Sequence, residues 1–343
     1  MAEQLEQMIL FPKAETAEWV SRPIENEIPG NDEVSGTTLF SMVSAGTELN
    51  VYLGQYEKQG LTWGRFPFVP GYAAVFRVEH CGDAVGDLEA GQLVFCMGQH
   101  RSRQCLARNA VIPLPPALYN KPEIAPLARL MNVTFTTLVT TSARPAELVV
   151  VTGLGAVGLM GALMFQRCGY RVLGCDPDDR RREMAERAGL LSTCAALPLD
   201  DPSMAGHASL VLECSAHEKA VLDGIKMLQK GGELVQVGVP MLRKTEIYAQ
   251  EILNGIFRQH ITLRSGSEWE VPRYATTFRH GSIFGNMTTA LNWLADGSVN
   301  VDGTYVVLPP NDPQTIYQDL LQRRQDKIVC LDWSGSLGKD LRL

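Results

Sequence analysis

No part of this 343-residue sequence approaches the roughly 18 consecutive apolar residues of a membrane-spanning helix; even Val149 to Phe165 is interrupted by four glycines. No bilayer crossing is expected. Clustered cysteine is also lacking: Cys81, Cys96, Cys105, Cys168, Cys175, Cys194, Cys214 and Cys330 are scattered, none in a C-x-x-C pair, so no disulfide framework is read here. Met1 to Gln7, mostly polar and acidic, has neither the basic start nor the apolar stretch of a secretory signal, which makes cytoplasm the expected location. Basic residues are in deficit, with a formal net charge of −7. That sign gives phosphate backbones and anionic membrane surfaces no general attraction, and neither nucleic acid nor membrane is expected as a partner.

What is present reads as a folded protein: 45% apolar and 20% charged residues, on a chain long enough for two domains. The first third is rich in Gly and Pro, with short β-type runs such as Gly71 to Val78 and Leu93 to Cys96. From about Pro122 the texture changes to alternating strands and helices: Leu148 to Thr152, Val157 to Cys168, Tyr170 to Cys175, Asp178 to Ala188, Ser209 to Cys214, Glu218 to Leu228 and Glu233 to Val239. Such alternation predicts a parallel sheet covered on both faces. After Ile261 to Arg264 it stops; a helix at Met287 to Ala295 and strands at Thr304 to Leu308 and Ile328 to Trp333 are expected to rejoin the first domain.

Gly153-Leu154-Gly155-Ala156-Val157-Gly158 is a G-x-G-x-x-G standing between an expected strand and an expected helix. In that setting Gly153 makes the tight turn, Gly155 lets the backbone approach a pyrophosphate, and Gly158 lets the helix pack closely on the sheet. Ala156 leads into the helix that Val157 opens, whose unpaired N–H groups and positive dipole end favour phosphate. Asp176, 23 residues after Gly153, closes the next strand, where an acid accepts from adenosine ribose hydroxyls. A carboxylate there repels the 2′-phosphate of NADP, while Arg180, Arg181 and Arg182 offset that repulsion; NAD is expected, with NADP as the alternative. Val237-Gly238-Val239 either offers backbone groups to the nicotinamide or is a strand ended by Pro240.

Ser44-Ala45-Gly46-Thr47-Glu48, Val69-Pro70-Gly71-Tyr72, the glycine motif, Glu213-Cys214-Ser215, Gly231-Gly232 and Val237-Gly238-Val239 follow one another along nearly the whole chain. In these motifs and their order the sequence resembles the medium-chain dehydrogenase/reductase family, the zinc alcohol dehydrogenase-like proteins. The resemblance implies an α/β protein: a GroES-like β-rich catalytic domain from residues 1–125 and 267–343, and a doubly wound Rossmann dinucleotide-binding domain over residues 126–266. It places Cys214 and Val237 to Val239 at the cofactor and implies a homodimer paired through Ile261 to Ser265. The family's three catalytic zinc ligands fall on Ala45, Tyr72 and Arg129, and no four-cysteine lobe for structural zinc is present. Alanine has no donor atom, tyrosine is an uncommon ligand and arginine has no free lone pair, so no zinc is expected. Cys96, His100 and Cys105 lack the usual close ligand spacing.

Hydride transfer without a metal needs hydrogen-bond donors aimed at the substrate oxygen. By position these are Thr47, Tyr72 and His100, each with a plain structural alternative. Glu48 is expected to hold the domain junction through an arginine. Arg129, Arg273, Arg279 and His280 either meet an acidic substrate or are solvated. The expected function is an NAD(P)(H)-dependent oxidoreductase without catalytic zinc, acting on a small alcohol, carbonyl or activated alkene. The alternatives are an NADPH-dependent quinone or enone reductase, and an inactive nucleotide-binding sensor or assembly partner.

Overall fold

The computed structural model describes residues 5–24, 28–279 and 281–336, and the chain divides into two units, Met1–Arg129 with Tyr305–Leu343, and Leu130–Thr304. Among the described residues no helix is long and apolar enough to cross a membrane.

The first unit is built on strands from both ends of the chain. Its sheet runs Tyr305–Leu308, Ile328–Asp332, Glu33–Met42, Ala74–Cys81, Leu93–Cys96, Val111–Pro113, and Arg103–Ala107 also pairs with Glu33–Met42. All pairings are antiparallel except that of Tyr305–Leu308 with Ile328–Asp332. One apolar cluster centres on Phe76, Val78, Val94 and Cys96, and another on Phe11, Tyr52, Tyr317 and Trp333. Trp333, the last residue of the expected final strand, is fully buried in the second cluster.

The second unit holds a six-stranded parallel sheet: Thr193–Cys194, Arg171–Cys175, Leu148–Thr152, Ala208–Glu213, Leu228–Gln236, Thr262–Ser265. Numbered along the chain within this sheet, the order is 3-2-1-4-5-6, the doubly wound arrangement, with its switch point between Leu148–Thr152 and Ala208–Glu213. These two strands are buried at every position, as a sheet covered on both faces requires. The helix Ala156–Arg167 buries most of its surface, whereas Asp179–Arg187 buries only Ala185. Asp178 caps the latter, its carboxylate accepting from the Arg180 amide.

Two features depart from the sequence reading. Residues 267–304, expected with the first domain, cluster with the second unit. Packing explains this: Trp293 of the helix Ile283–Ala295 stacks on Phe135 at 5.0 Å, and Asn132 donates to the Glu268 carboxylate. The helix Ala249–Gln259 was not expected at all. Ile252 and Ile256 pack on the sheet's apolar cluster, while Leu253 and Phe257, one residue further round, are 63% and 81% exposed.

Candidate functional site

At the switch point three chain reversals meet. Gly153 turns with φ +87°, a conformation L side chains rarely adopt, and a Cβ there would lie 2.8 Å from the Ser215 amide nitrogen. A Cβ on Gly158 would sit 1.8 Å from the Gly153 carbonyl oxygen and 3.2 Å from the Cys214 Cβ. One on Gly238 would meet the Ala216 nitrogen at 2.5 Å. At Gly153, Gly158 and Gly238 a side chain is therefore excluded by close approach of the chain; Gly155 differs. A Cβ on Gly155 would meet only the Arg181 Nη1, at 3.8 Å, so the space above this turn is open. Gly155 is also the N-cap of Ala156–Arg167, and no side chain caps that helix. Open space beneath an uncapped first turn fits a dinucleotide's phosphates.

Asp176 is 3% exposed. Its carboxylate accepts from the Leu154 amide at 2.8 Å and the Asp178 amide at 2.9 Å, and Arg181 Nη1 lies 3.4 Å away. Two oxygens offer about four acceptor sites, so a ribose hydroxyl can still be bound. The neighbouring arginines are engaged: Arg180 with Asp178, and Arg182 with Asp179 and the Asp176 carbonyl.

The Val237–Val239 stretch is more constrained than its sequence suggests. Both the Val237 and Gly238 amides donate to the Glu213 carbonyl, and the Gly238 carbonyl accepts from Gln236 Nε2. Those two N–H groups are spent within the fold, and the Val239 carbonyl accepts from the Met241 amide at 2.9 Å, while the Val239 side chain is exposed. Glu213 itself was given no role from sequence. Fully buried, its carboxylate receives the Ser215 hydroxyl, the Ser215 and Ala216 amides and Gln236 Nε2, and so fixes the turn against which Gly153 packs. Cys214 lies beside that charge; burial first and Glu213 second push its thiol far above the ordinary range.

In the first unit, Thr47 and Tyr72 are brought together. Both are half-buried, and the Tyr72 hydroxyl donates to Ser44 Oγ at 2.5 Å with the Thr47 hydroxyl also in reach. Burial, and then the Glu48 charge, push the Tyr72 phenol up to about 12. Across the physiological range it is therefore a neutral donor. Arg129 lies over the Tyr72 ring at 4.8 Å.

His100, expected at the substrate, is enclosed instead. It is fully buried, with Nδ1 2.8 Å from Ser41 Oγ and Nε2 3.1 Å from Glu48 Oε2. The Trp333 indole donates to the same Ser41 oxygen at 2.8 Å, so the serine proton is free to go to Nδ1, leaving Nε2–H for Glu48. Ser41, His100 and Glu48 share the connectivity of a nucleophilic triad, but burial denies a substrate any approach to the hydroxyl. Glu48, expected to pair with an arginine, instead accepts from His100, the Tyr317 hydroxyl at 2.5 Å and the Ser44 amide at 2.8 Å. His100 is thus held by Ser41 and Glu48, and Glu48 also accepts from the amide of Ser44, whose hydroxyl meets Tyr72. Ser41, Tyr317 and Trp333 carry no local sequence signal for this cluster, being joined to it across up to 292 residues.

The positions aligned with zinc ligands do not fit the ion: Ala45 has no donor, the Tyr72 phenol is held protonated, and Arg129 is cationic. Cys96, His100 and Cys105 are not gathered as ligands. Cys96 is buried, its thiol pushed up to about 12 by desolvation, and the Cys105 sulfur lies 3.6 Å from the Glu33 carboxylate. Among the described residues no group of three or more His, Cys, Asp or Glu is placed to hold a metal. Arg273 stacks over Tyr274 and Phe284, each at 5.5 Å, while His280 lies outside the described residues.

The family model described as zinc-binding dehydrogenase matches residues 156–272, all within the second unit. An alcohol dehydrogenase of Moraxella sp. (strain TAE123) is 26% identical over 335 residues, 92% of this chain and 86% of that protein. A quinone oxidoreductase from Pseudomonas syringae pv. Tomato DC3000 superposes with TM-score 0.77 at 16% identity, over 95% of this chain and 99% of the other. A protein of Sinorhizobium meliloti 1021 solved with NADP bound superposes with TM-score 0.77 at 15% identity, over 96% of this chain and 100% of the other.

Proposed function

We propose that this chain, as a member of the medium-chain dehydrogenase/reductase family with its GroES-like and Rossmann folds, is an oxidoreductase that uses NAD, or alternatively NADP, without catalytic zinc. Its substrate is a small alcohol, carbonyl or activated alkene. The observation that carries this reading is the open space at Gly155, beneath an uncapped helix at the switch point of a doubly wound sheet. When bound, the nicotinamide supplies or accepts the hydride.

The chain's own residues do the rest. Gly153, Gly155 and Gly158 shape the cradle, and the Ala156 and Val157 amides face the phosphates. Asp176 holds the ribose hydroxyls, with Arg181 beside it. Thr47 and Tyr72 supply neutral hydroxyls to the substrate oxygen in place of a Lewis acid; the phenol proton that rests on Ser44 Oγ turns to the substrate, and the Ser44 hydroxyl then donates to the phenol oxygen. Fluorescence titration with NADH and NADPH tests the cofactor. No binding of either at millimolar concentration would defeat the proposal, and a marked NADPH preference with quinone turnover would favour the quinone-reductase alternative. Tightly bound stoichiometric zinc would overturn the metal-free part.

Tyr72→Phe removes one neutral donor and nothing else of size, so kcat/KM is expected to fall about fivefold at unchanged NADH affinity, the worth of an ordinary hydrogen bond. Because the phenol stays protonated until about pH 12, the pH–rate profile up to mildly alkaline pH should keep its shape. A Tyr72→Phe protein with parental kcat/KM would remove Tyr72 from the substrate.

We further propose a cytoplasmic homodimer paired through the edge strand Thr262–Ser265. The exposed Leu253 and Phe257 beside it, and Leu263 at 45% exposure, support that reading. Leu253→Asp with Phe257→Asp is expected to shift the light-scattering mass from two chains to one; an unaltered mass would place the contact elsewhere.

A further inference from the structure

The strand Arg171–Cys175 ends on Cys175, and the two-residue strand Thr193–Cys194 pairs with it in parallel, Cys194 opposite Cys175. Parallel partners lie about 4.8 Å apart with side chains on one face, inside the roughly 4.4–6.8 Å between Cα atoms that a disulfide spans. The ladder here is held by two further bonds, Gly174 N–H to the Ser192 carbonyl at 3.0 Å and Asp176 N–H to the Cys194 carbonyl at 3.1 Å. Both residues are free thiols; Cys175 is buried, and Cys194 is half-buried against the sheet's apolar cluster. The two thiols interact across the ladder in close contact. That contact pushes the Cys175 thiol up and, with help from Arg182, holds the Cys194 thiol below the ordinary range. A more acidic, accessible thiol beside a second thiol is the pairing of an attacking with a resolving cysteine. Arg182 also donates to the Asp176 carbonyl at 2.7 Å, and the Asp176 carboxylate holds the Leu154 amide of the cradle. The Gly153 amide also donates to the Cys175 carbonyl at 2.8 Å, so the sulfur pair is one hydrogen bond from that turn.

We propose that Cys175 and Cys194 form a redox-responsive dithiol that a hydroperoxide closes into a disulfide, and that closure weakens dinucleotide binding by shifting Asp176. The Cys194 thiolate attacks the peroxide O–O bond, takes one oxygen as a sulfenic acid and releases hydroxide. The Cys175 sulfur then attacks the sulfenic sulfur, forming the S–S bond and expelling water. Two electrons and two thiol protons leave the protein, and one hydrogen peroxide becomes two waters. Closure brings the two sulfurs to about 2.05 Å and resets the torsions and backbone that carry them, and Asp176, hooked by its N–H to the Cys194 carbonyl, shifts with that change. The coupling to binding rests on the dinucleotide reading above; the dithiol does not.

Treating the whole protein with hydrogen peroxide, blocking free thiols and mapping peptides by mass is expected to find Cys175 and Cys194 linked, two hydrogens lighter, before the other cysteines react. NADH affinity should fall about fivefold, as for one lost hydrogen bond, and return with dithiothreitol. Cys194→Ala, which leaves the buried Cys175 in place, should keep its NADH affinity through the same treatment. Both thiols remaining free while other cysteines oxidise would overturn the dithiol. A linked protein with undiminished NADH affinity would overturn the coupling. Failure of the reduced protein to bind NADH would overturn the dinucleotide reading and the coupling with it, while the mass map would still decide the dithiol.

Discussion

Gly155→Ala is expected to fold like the parent protein and to bind NADH about a hundredfold more weakly, whereas Gly158→Ala is expected to damage the fold itself. The two glycines stand three residues apart in one motif, yet their surroundings differ. At Gly155 the backbone is ordinary, with φ −66°, and a methyl group meets nothing nearer than 3.8 Å. No folding penalty follows. The methyl does fill the open space, and holds a phosphate off the helix amides. Two charge-assisted hydrogen bonds at about 1.5 kcal/mol each come to about 3 kcal/mol, or roughly a hundredfold in affinity. At Gly158 the methyl would lie 1.8 Å from the Gly153 carbonyl oxygen, which is backbone and cannot swing aside. A loss of about 2–3 kcal/mol of stability is expected, from overpacking between helix and sheet. Thermal unfolding and NADH titration of both variants check the contrast. Parental affinity in a stable Gly155→Ala protein would take the phosphates away from this turn.

Glu48→Ala is expected to cost about 3–5 kcal/mol of stability, a large share of what a domain has. Glu48 is 1% exposed, and its two oxygens accept from His100, Tyr317 and the Ser44 amide. Truncation strands three buried donors at about 1–3 kcal/mol each, only partly relieved by relaxation. Glu48→Gln keeps an acceptor oxygen but turns an amide toward one of those donors, and should cost about half as much. Urea unfolding at constant m-value measures both. A Glu48→Ala midpoint within error of the parent would show that water or rearrangement satisfies the cluster.

The cluster and the cradle differ in how far each can be read from the sequence. The cradle is local: strand, glycine turn and helix follow one another between Leu148 and Arg167, and Asp176 closes the next strand, so spacing alone located them. The same holds for the doubly wound order, because alternating strands and helices leave few ways to close a parallel sheet. Tyr72 and Thr47 were placed by a resemblance to a family motif, and their meeting at Ser44 was not. The helix Ala249–Gln259 escaped notice because its cap is Tyr248 rather than Ser, Thr, Asp or Asn, and its inward stripe is only Ile252 and Ile256.

From the sequence alone came the fold class, the glycine turn between strand and helix, and the unsuitability of Ala45 and Arg129 as metal ligands, since each depends on residue types and short spacings. Tertiary structure alone decided that His100 is sealed behind Glu48, that the Val237 and Gly238 amides are already spent on Glu213, and that residues 267–304 pack with the second unit. The reason is range: burial and hydrogen-bond satisfaction are set by partners far away in the chain, such as Tyr317 for Glu48, and no local pattern of residues records which partner arrives.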